Sequence, residues 1–237
     1  MTGPGVEEIR QRHATVLEQV ARAAERSGRS PNEVALLAVT KTHPPELVRS
    51  AVAAGLTRFG ENRVAEGISK IAALRGDFPA LTWKLIGPLQ SNKARAALQW
   101  FSMVETLDRE RLATRLEGLL PPGAPPYPVL LEVNIASEAS KSGVAPSDAE
   151  ALLAGILLRG RLDVRGLMAV PPFEPDPEAA RPHFRRLRDL RDRLAGRFGR
   201  TFAELSIGMS HDFEVAVEEG STEIRIGTFL FGDRSTA

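Results

Sequence analysis

The sequence predicts an α/β fold, a single (β/α)8 TIM barrel with one extra helix before its first strand. Eight short apolar runs alternate with amphipathic helical stretches, and the connections between them are short. A length of 237 residues suits one barrel, and no long polar linker divides the chain. We therefore predict one domain over residues 1–237, with the extra helix at about 6–27 and the barrel at about 34–232. An open doubly wound sheet is the main alternative, but no G-x-G-x-x-G motif follows a predicted strand.

The elements can be taken in chain order. The extra helix, Val6 to Ser27, has apolar residues at helical spacing and ends at Gly28. The first strand is uncharged and β-branched, and prolines follow it closely. The predicted strands are Val34–Thr40, Arg58–Gly60, Thr82–Ile86, Met103–Thr106, Val129–Asn134, Val164–Ala169, Glu204–Ile207 and Glu223–Ile226. The predicted helices between them are Pro45–Ala54, Arg63–Leu74, Ser91–Ala97, Arg109–Leu119, Pro146–Arg159, Pro177–Phe198 and Phe213–Glu219.

Composition excludes several classes of function. With 31 basic and 30 acidic residues the formal charge is +1, which gives no electrostatic footprint for nucleic acid. No apolar run approaches the ~20 residues of a membrane span, and the first residues lack the pattern of a secretory signal. The absence of cysteine fits a cytoplasmic protein. The four histidines do not stand at metal-ligand spacing, so no metal site is expected.

Lys41 is the first candidate site residue. It ends the apolar run Val34–Lys41 and shares one strand face with Leu37 and Val39. If that face lines the barrel, the amine lies at the carboxyl-terminal mouth, where such barrels carry their chemistry. Loss of hydration there lowers the pKa of a lysine and makes it a nucleophile toward carbonyls. The alternative is a lysine that caps the strand and reaches into water.

The carboxyl end of the chain supplies a candidate phosphate site. Ser210 follows the seventh strand and is predicted to be the N-cap of the next helix. Gly227 and Thr228 follow the eighth strand. The glycine lets the backbone approach an anion closely, and the threonine adds a hydroxyl. The sequence FLF after them could form a short helix. Plain helix capping and a tight turn are the structural alternatives for Ser210 and Gly227.

Arg225 is predicted to point into the barrel, because the isoleucines on either side of it suit the interface between sheet and helices. A buried guanidinium stays charged and needs an acceptor. The acceptor is either a ligand or a neighbouring carboxylate such as Glu61 or Glu132. A reactive lysine, a phosphate cradle and an inward arginine together describe a site for pyridoxal phosphate.

These residues lie within motifs that resemble those of the pyridoxal phosphate homeostasis proteins. That family consists of single-domain barrels related to the amino-terminal domain of bacterial alanine racemase, the type III fold of pyridoxal phosphate proteins. The matching motifs run along nearly the whole chain: LLAVTKTHP at 36–44, RFGENRVAE at 58–66, LIGPLQSNK at 85–93, EVNIASEASKSG at 132–143, GLMAV at 166–170, LSIGMSHDFEVAVEEGS at 205–221 and IRIGTFLFG at 224–232.

The resemblance implies a role for each candidate residue. Lys41 would form the internal aldimine with pyridoxal phosphate, Asn62 would lie beside the ring, and Arg225 would face the pyridine nitrogen. The phosphate would be held by Ser210, Gly227 and Thr228, and two methionines of the matching motifs, Met168 and Met209, are further candidate contacts.

Two positions depart from the family pattern. Lys84 stands where the family commonly has histidine, which puts any role of that histidine in doubt, and Thr40 stands where serine usually precedes the reactive lysine.

The sequence favours a binding protein over an enzyme. An arginine at the pyridine nitrogen discourages its protonation, which weakens the electron sink and leaves racemisation as the credible reaction. Racemisation needs a second acid/base group. The only tyrosine, Tyr127, starts the fifth strand at the far end of the barrel. His43 is predicted to be a loop residue and His211 to start the helix after the seventh strand, on its exposed side, both without a catalytic role.

We therefore expect a cytoplasmic carrier that buffers pyridoxal phosphate in vitamin B6 homeostasis, with a weak amino-acid racemase as the alternative. A lysine aldolase acting on a phosphorylated sugar ranks third. The expected partners are the cofactor and, in transient contacts, apo forms of enzymes that use it, with no nucleic acid and no membrane. Because no second domain follows before Ala237 to complete a shared active site, a monomer is expected.

Overall fold

Eight parallel strands close into one barrel in the computed structural model, which describes residues 3–138 and 141–232. Residues 1–2, 139–140 and 233–237, which belong to the predicted domain, lie outside this range, and so do two positions of the motif at 132–143. Each strand pairs with the next in sequence and the eighth returns to the first, so the predicted barrel is confirmed. The strands are β1 Ala35–Val39, β2 Arg58–Glu61, β3 Thr82–Leu85, β4 Met103–Leu107, β5 Tyr127–Glu132, β6 Leu162–Met168, β7 Glu204–Met209 and β8 Glu223–Ile226.

The predicted extra helix is also present and packs against the last two helices of the barrel. In chain order the helices are α1 Val6–Arg26, α2 Pro45–Ala53, α3 Val64–Leu74, α4 Ala94–Trp100, α5 Glu110–Glu117, α6 Ala149–Arg159, α7 Arg181–Phe198, α8 Phe213–Glu218 and α9 Thr228–Phe231. None of these helices of the described ranges is both long and apolar enough to cross a bilayer.

Two predicted helix starts are 3-10 turns. Ser91–Lys93 precedes α4, and Pro177–Ala180 precedes α7, where the Asp176 side chain accepts the N–H of Glu178. Pro182, in the first turn of α7, lacks the N–H that would bond the Glu178 carbonyl, so the α-helical hydrogen bonds begin only after this turn.

The apolar core lies between the strands and the helices. Alternation along β1 places Ala38 in this outer layer and Leu37 inside the barrel, opposite Arg225 of β8. Inside the barrel the apolar part is small: Met103, Leu130 and Met168 form a separate cluster. Charged side chains fill much of the remaining interior, although such side chains are rarely buried unless they are paired.

Candidate functional site

At the carboxyl-terminal mouth of the barrel, Lys41 follows β1 and Arg225 lies on the neighbouring strand β8. Lys41 is half-buried in the turn that follows β1. Leu37 is paired with Arg225, and β1 ends at Val39, before the turn that carries Lys41. Lys41 therefore lies nearer to the mouth than Arg225.

Both backbone neighbours of Lys41 are held by one cluster of charged residues. The buried Lys70 of α3 donates to the Thr40 carbonyl at 2.6 Å and to Glu61 and Glu66 at 2.7 Å each. Glu66 in turn accepts the backbone N–H of Thr42. Thr42 has φ +68°, a left-handed conformation that few non-glycine residues adopt. The cluster thus fixes the turn that carries Lys41.

Sequence reasoning missed this cluster, although a lysine one helical turn after Glu66 was visible in the sequence. Partial burial opposes ionisation of Glu66, yet Lys70 and the Thr42 N–H lower its pKa. Burial raises the pKa of Glu61 despite its contacts with Lys70 and Thr40. Glu66 is therefore the carboxylate that balances Lys70 most readily.

Asn62 follows β2 at the same mouth, and Gly87 fixes its position. A Cβ atom added to Gly87 would stand 2.2 Å from the Asn62 carbonyl oxygen and 2.6 Å from its Cα. Only glycine allows the two backbones to approach this closely. The Gly87 carbonyl also accepts the Thr106 hydroxyl at 2.8 Å.

Ser210, Gly227 and Thr228 lie together where β7 and β8 end. The Ser210 hydroxyl accepts the backbone N–H groups of Gly227 at 3.2 Å and Phe229 at 3.3 Å. Its predicted role as N-cap of α8 is wrong: Asp212 is the cap residue, and its carboxylate accepts the Met209 N–H at 2.6 Å. Since α8 begins at Phe213, as predicted, Ser210 lies too far before the helix to cap it and instead bridges the two loops. Hydroxyl and amide groups therefore converge at one point of the mouth, with Thr228 exposed beside it.

Arg225 points into the barrel, as predicted, and is 4% exposed. It donates to the Ser206 carbonyl at 2.7 Å, to the Ser206 hydroxyl at 2.6 Å and to the Ala169 carbonyl at 2.8 Å. The alternative of an ion pair with Glu61 or Glu132 is not found among the described contacts. Glu61 bonds Lys70, as described above.

Glu132 ends β5 at the same mouth and is 7% exposed. One of its oxygens accepts the Ser142 hydroxyl at 2.8 Å, while the other is buried without a hydrogen-bond partner among the described residues. Burial raises the pKa of Glu132. Sequence reasoning treated it only as a partner for arginine and missed this arrangement.

The two candidate methionines occupy different positions. Met168 is buried at the end of β6 in the interior cluster, below the mouth. Met209 is half-buried at the end of β7 and is paired with Arg225 in the sheet register. Met209 is therefore the better placed of the two to contact a ligand at the mouth.

Of the side chains considered as a second acid/base group, Tyr127 and His43 lie where the sequence predicted, and His211 is exposed as predicted but lies in the turn before α8. Tyr127 starts β5 at the amino-terminal end of the barrel and donates to the Phe101 carbonyl at 2.7 Å. His43 lies in the turn after Lys41 and packs against Phe231. His211 is exposed, packs against Phe173 and contacts the Pro175 carbonyl at 3.0 Å.

The donor set at this mouth suits pyridoxal phosphate. It combines an amine, converging hydroxyl and amide groups for a phosphate, and a buried guanidinium between them and the barrel floor. Fold and site together define the class of barrels to which the amino-terminal domain of alanine racemase belongs. Residues 14–235 match the family described as alanine racemase, N-terminal domain. Alanine racemase from Corynebacterium glutamicum has a TM-score of 0.71 at 16% identity, over 95% of this chain and 60% of its own, which shows the shared fold alone.

Within this class the chain belongs to the pyridoxal phosphate homeostasis protein family. A protein of that name from Pseudomonas aeruginosa is 48% identical over 93% of this chain and 94% of its own length. Its namesake from Aquifex aeolicus is 43% identical over 94% and 97%. The structure of PipY from Synechococcus elongatus with PLP bound has a TM-score of 0.79 at 38% identity, over 90% of this chain and all of that one.

Proposed function

We propose that this protein binds pyridoxal 5'-phosphate as a Schiff base on Lys41 and serves as a carrier and buffer in vitamin B6 homeostasis. The observation that carries the proposal is the meeting of Lys41, the Ser210–Gly227 pair and Arg225 at one mouth of the barrel. The family name of its relatives and the PLP-bound PipY structure support it.

Bound pyridoxal phosphate supplies an aldehyde and an electron-withdrawing ring. Lys41 provides the amine that condenses with that aldehyde, with loss of water. Ser210, Gly227 and Thr228 present hydroxyl and amide donors to the phosphate. Arg225 keeps a permanent positive charge beside the ring nitrogen, and Asn62 lies on the Lys41 side of the mouth. Met209 borders the site, and Met168 forms its floor.

The carrier role rests on what surrounds Lys41. A guanidinium facing the ring nitrogen disfavours its protonation and so weakens the ring as an electron sink. Tyr127 hydrogen-bonds a backbone carbonyl at the opposite end of the barrel. We therefore propose storage and delivery of the cofactor, with transient contacts to apo forms of enzymes that use it.

The remaining parts of the proposal concern assembly and location. We propose a single-domain monomer in the cytoplasm. The absence of cysteine from the sequence supports the location. Light scattering of the purified protein should give the mass of a single chain at all concentrations tested. A stable dimer would contradict the monomer without affecting cofactor binding.

The cofactor proposal is tested by the absorbance spectrum of the purified protein during titration with pyridoxal phosphate. A saturable visible band, distinct from that of free pyridoxal phosphate, is expected at one equivalent. A spectrum that remains the sum of its components would overturn the proposal, and phosphorylated sugars would then be the ligands to test.

The alternative of a weak racemase is tested on the loaded protein with a broad panel of amino acids, using alanine racemase as the positive control. Absence of turnover on every amino acid is expected. Stereoinversion that disappears in Lys41→Ala would replace the carrier role by an enzymatic one.

A further inference from the structure

Below Arg225 the barrel interior contains a cluster of charges that the proposed cofactor chemistry does not use. We define the interior ionic cluster as Lys84 of β3, Glu105 of β4 and Glu223 of β8. Their exposures are 8%, 0% and 3%, so all three are shielded from water. The Lys84 ammonium lies 3.1 Å from Glu105 and 2.7 Å from Glu223.

One side chain connects this cluster to Arg225. The Ser206 hydroxyl accepts a hydrogen bond from the Arg225 guanidinium at 2.6 Å and donates one to Glu105 at 2.7 Å. A continuous path therefore runs from Lys84 through Glu105 and Ser206 to the guanidinium. Glu223 contacts Lys84 but does not itself bond Ser206 or Arg225 among the described hydrogen bonds.

The pKa values of the two carboxyl groups are shifted in opposite directions. Burial opposes ionisation of Glu105, but Lys84 and a hydrogen bond with Glu223, followed by Arg225 and the Ser206 hydrogen bond, lower its pKa. Burial and the neighbouring Glu105 carboxylate raise the pKa of Glu223 well above its ordinary value. Burial disfavours the charge on Lys84, yet the carboxylates raise its pKa. Glu105 is thus the carboxyl group of the pair whose ionised form Lys84 and Arg225 favour.

An anion in this position restrains the guanidinium. In a buried interior, hydrogen bonds to charged groups are strong, and each bond that Arg225 makes to Ser206 limits its rotation. The carbonyls of Ser206 and Ala169 fix two more of its donors. The remaining freedom of the guanidinium depends on whether the Ser206 hydroxyl is itself held, and Glu105 holds it.

We propose that Glu105, acting through Ser206, is a positioning residue that holds Arg225 in the orientation facing the cofactor ring, and that Lys84 keeps Glu105 in place. This inference rests on the proposed binding of pyridoxal phosphate. It also gives Lys84 a role in this chain, at the position where the family resemblance led us to expect histidine. A cluster that served only the stability of the fold would leave the cofactor's environment unchanged.

The test compares Glu105→Gln with Glu204→Gln in the full chain. Glu204 also contacts Lys84, at 3.4 Å, but its hydrogen bonds do not reach Ser206, so it is the matched control. We measure the dissociation constant for pyridoxal phosphate and the position of the visible band. Glu105→Gln should weaken binding by about 5- to 20-fold and shift the band in the same direction as Arg225→Ala, which is measured beside it. Glu204→Gln should leave the band in place and change affinity by less than about 2-fold.

A double-mutant cycle separates positioning from general destabilisation. Ser206→Ala interrupts the same path and leaves the contact between Lys84 and Glu105 intact. The double variant Ser206→Ala/Glu105→Gln should therefore bind no more weakly than the weaker single variant. If the two substitutions instead weaken binding independently, so that their fold-changes multiply in the double variant, the proposal is overturned.

The outcomes distinguish this inference from the proposal beneath it. If the wild type gives the band and Glu105→Gln matches the control in both affinity and band position, the positioning role is wrong and cofactor binding stands. If the wild type gives no band, both are wrong. Should Glu105→Gln fail to fold, Ser206→Ala alone decides, since an unchanged band in that variant contradicts the path to Arg225.

Discussion

At the scale of single residues, the reactivity proposed for Lys41 depends on groups that hold its backbone. The amine is carried by a turn in which Thr42 adopts a positive φ, and this conformation persists because Glu66 accepts its N–H and Lys70 holds Glu66. The chemistry proposed for one lysine therefore depends on a second, buried lysine to which no contact with the ligand is assigned.

Replacement of the reactive amine separates covalent from non-covalent binding. In Lys41→Ala the visible band should vanish, while the phosphate donors retain weaker binding, because Ser210 and Gly227 lie on other strands. Equilibrium dialysis measures the residual affinity. Lys93→Ala removes an exposed lysine and is the control, with band and affinity unchanged. A persistent band in Lys41→Ala would place the attachment elsewhere.

Removal of Lys70 should affect both stability and attachment. Lys70→Met leaves Glu61 and Glu66 without their cation in a buried site, a change that costs about 3–5 kcal/mol of the free energy of unfolding. Loss of the restraint on Thr40 and Thr42 should also slow the appearance of the visible band. Urea unfolding and stopped-flow absorbance measure the two effects. If the variant remains folded and the band appears at an unchanged rate, the turn keeps its conformation without Lys70.

At the scale of elements, the site depends on how closely the ends of neighbouring strands approach. The loop after β3 lies against the loop after β2 because Gly87 has no side chain, and this contact fixes Asn62. Sequence reasoning named Asn62 from its motif but gave no reason for its position. The reason is a backbone contact between two loops, which no local pattern in the sequence expresses.

Gly87→Ala should therefore weaken cofactor binding through Asn62. The added methyl would meet the Asn62 carbonyl at 2.2 Å, so one of the two loops must move. We expect at least about a tenfold loss of affinity, or about 1.4 kcal/mol, together with a lower Tm. Gly76→Ala is the matched control, because no atom lies within 4 Å of the position that its added methyl would take. Equal affinities of the two variants would show that the Asn62 loop adapts.

The contact between α7 and α8 makes the stability of the fold dependent on pH. Glu219 at the end of α8 bonds Arg181, Arg185 and Arg188 of α7. Burial opposes its ionisation, but these arginines lower its pKa below the ordinary value of 4.5. A carboxylate with a lowered pKa stabilises the fold above its unfolded pKa, and this contribution is lost as the pH falls through the folded pKa.

Glu219→Gln should accordingly lower the Tm at pH 7, and the difference from wild type should shrink as the pH is taken below about 4.5. Differential scanning calorimetry across this range measures it. Glu214→Gln removes a more exposed partner of Arg26 and should change the Tm little at any pH. A difference for Glu219→Gln that stays constant in acid would mean that packing, and not charge, is responsible.

At the scale of the whole molecule, the barrel could be predicted because the elements that build it repeat along the sequence. Short apolar strands alternate with amphipathic helices, and the sheet order β1 to β8 confirms the prediction. Lys41, Asn62, Ser210, Gly227 and Arg225 all lie at strand ends on one mouth, as their positions in the sequence required. Which of them hold the cofactor stays a prediction.

The features that escaped sequence reasoning depend on three-dimensional contacts. The expected N-cap role of Ser210 failed because Asp212, two residues later, ends the loop and caps α8. The charged interior was invisible because Lys84 and Glu105 lie on different strands, and a charge within a short strand gives no information about its partner. A contact within the loop decides the first, and pairing across the barrel, which appears only when the strands are assembled, decides the second.

The most direct test of the central claim is to locate the covalent bond. The protein is loaded with pyridoxal phosphate, reduced with borohydride, digested and mapped by mass spectrometry. We predict one modified residue, Lys41, at near-stoichiometric yield. A label spread over the other lysines, or one concentrated on any of them, would contradict the assignment of this mouth of the barrel as the cofactor site.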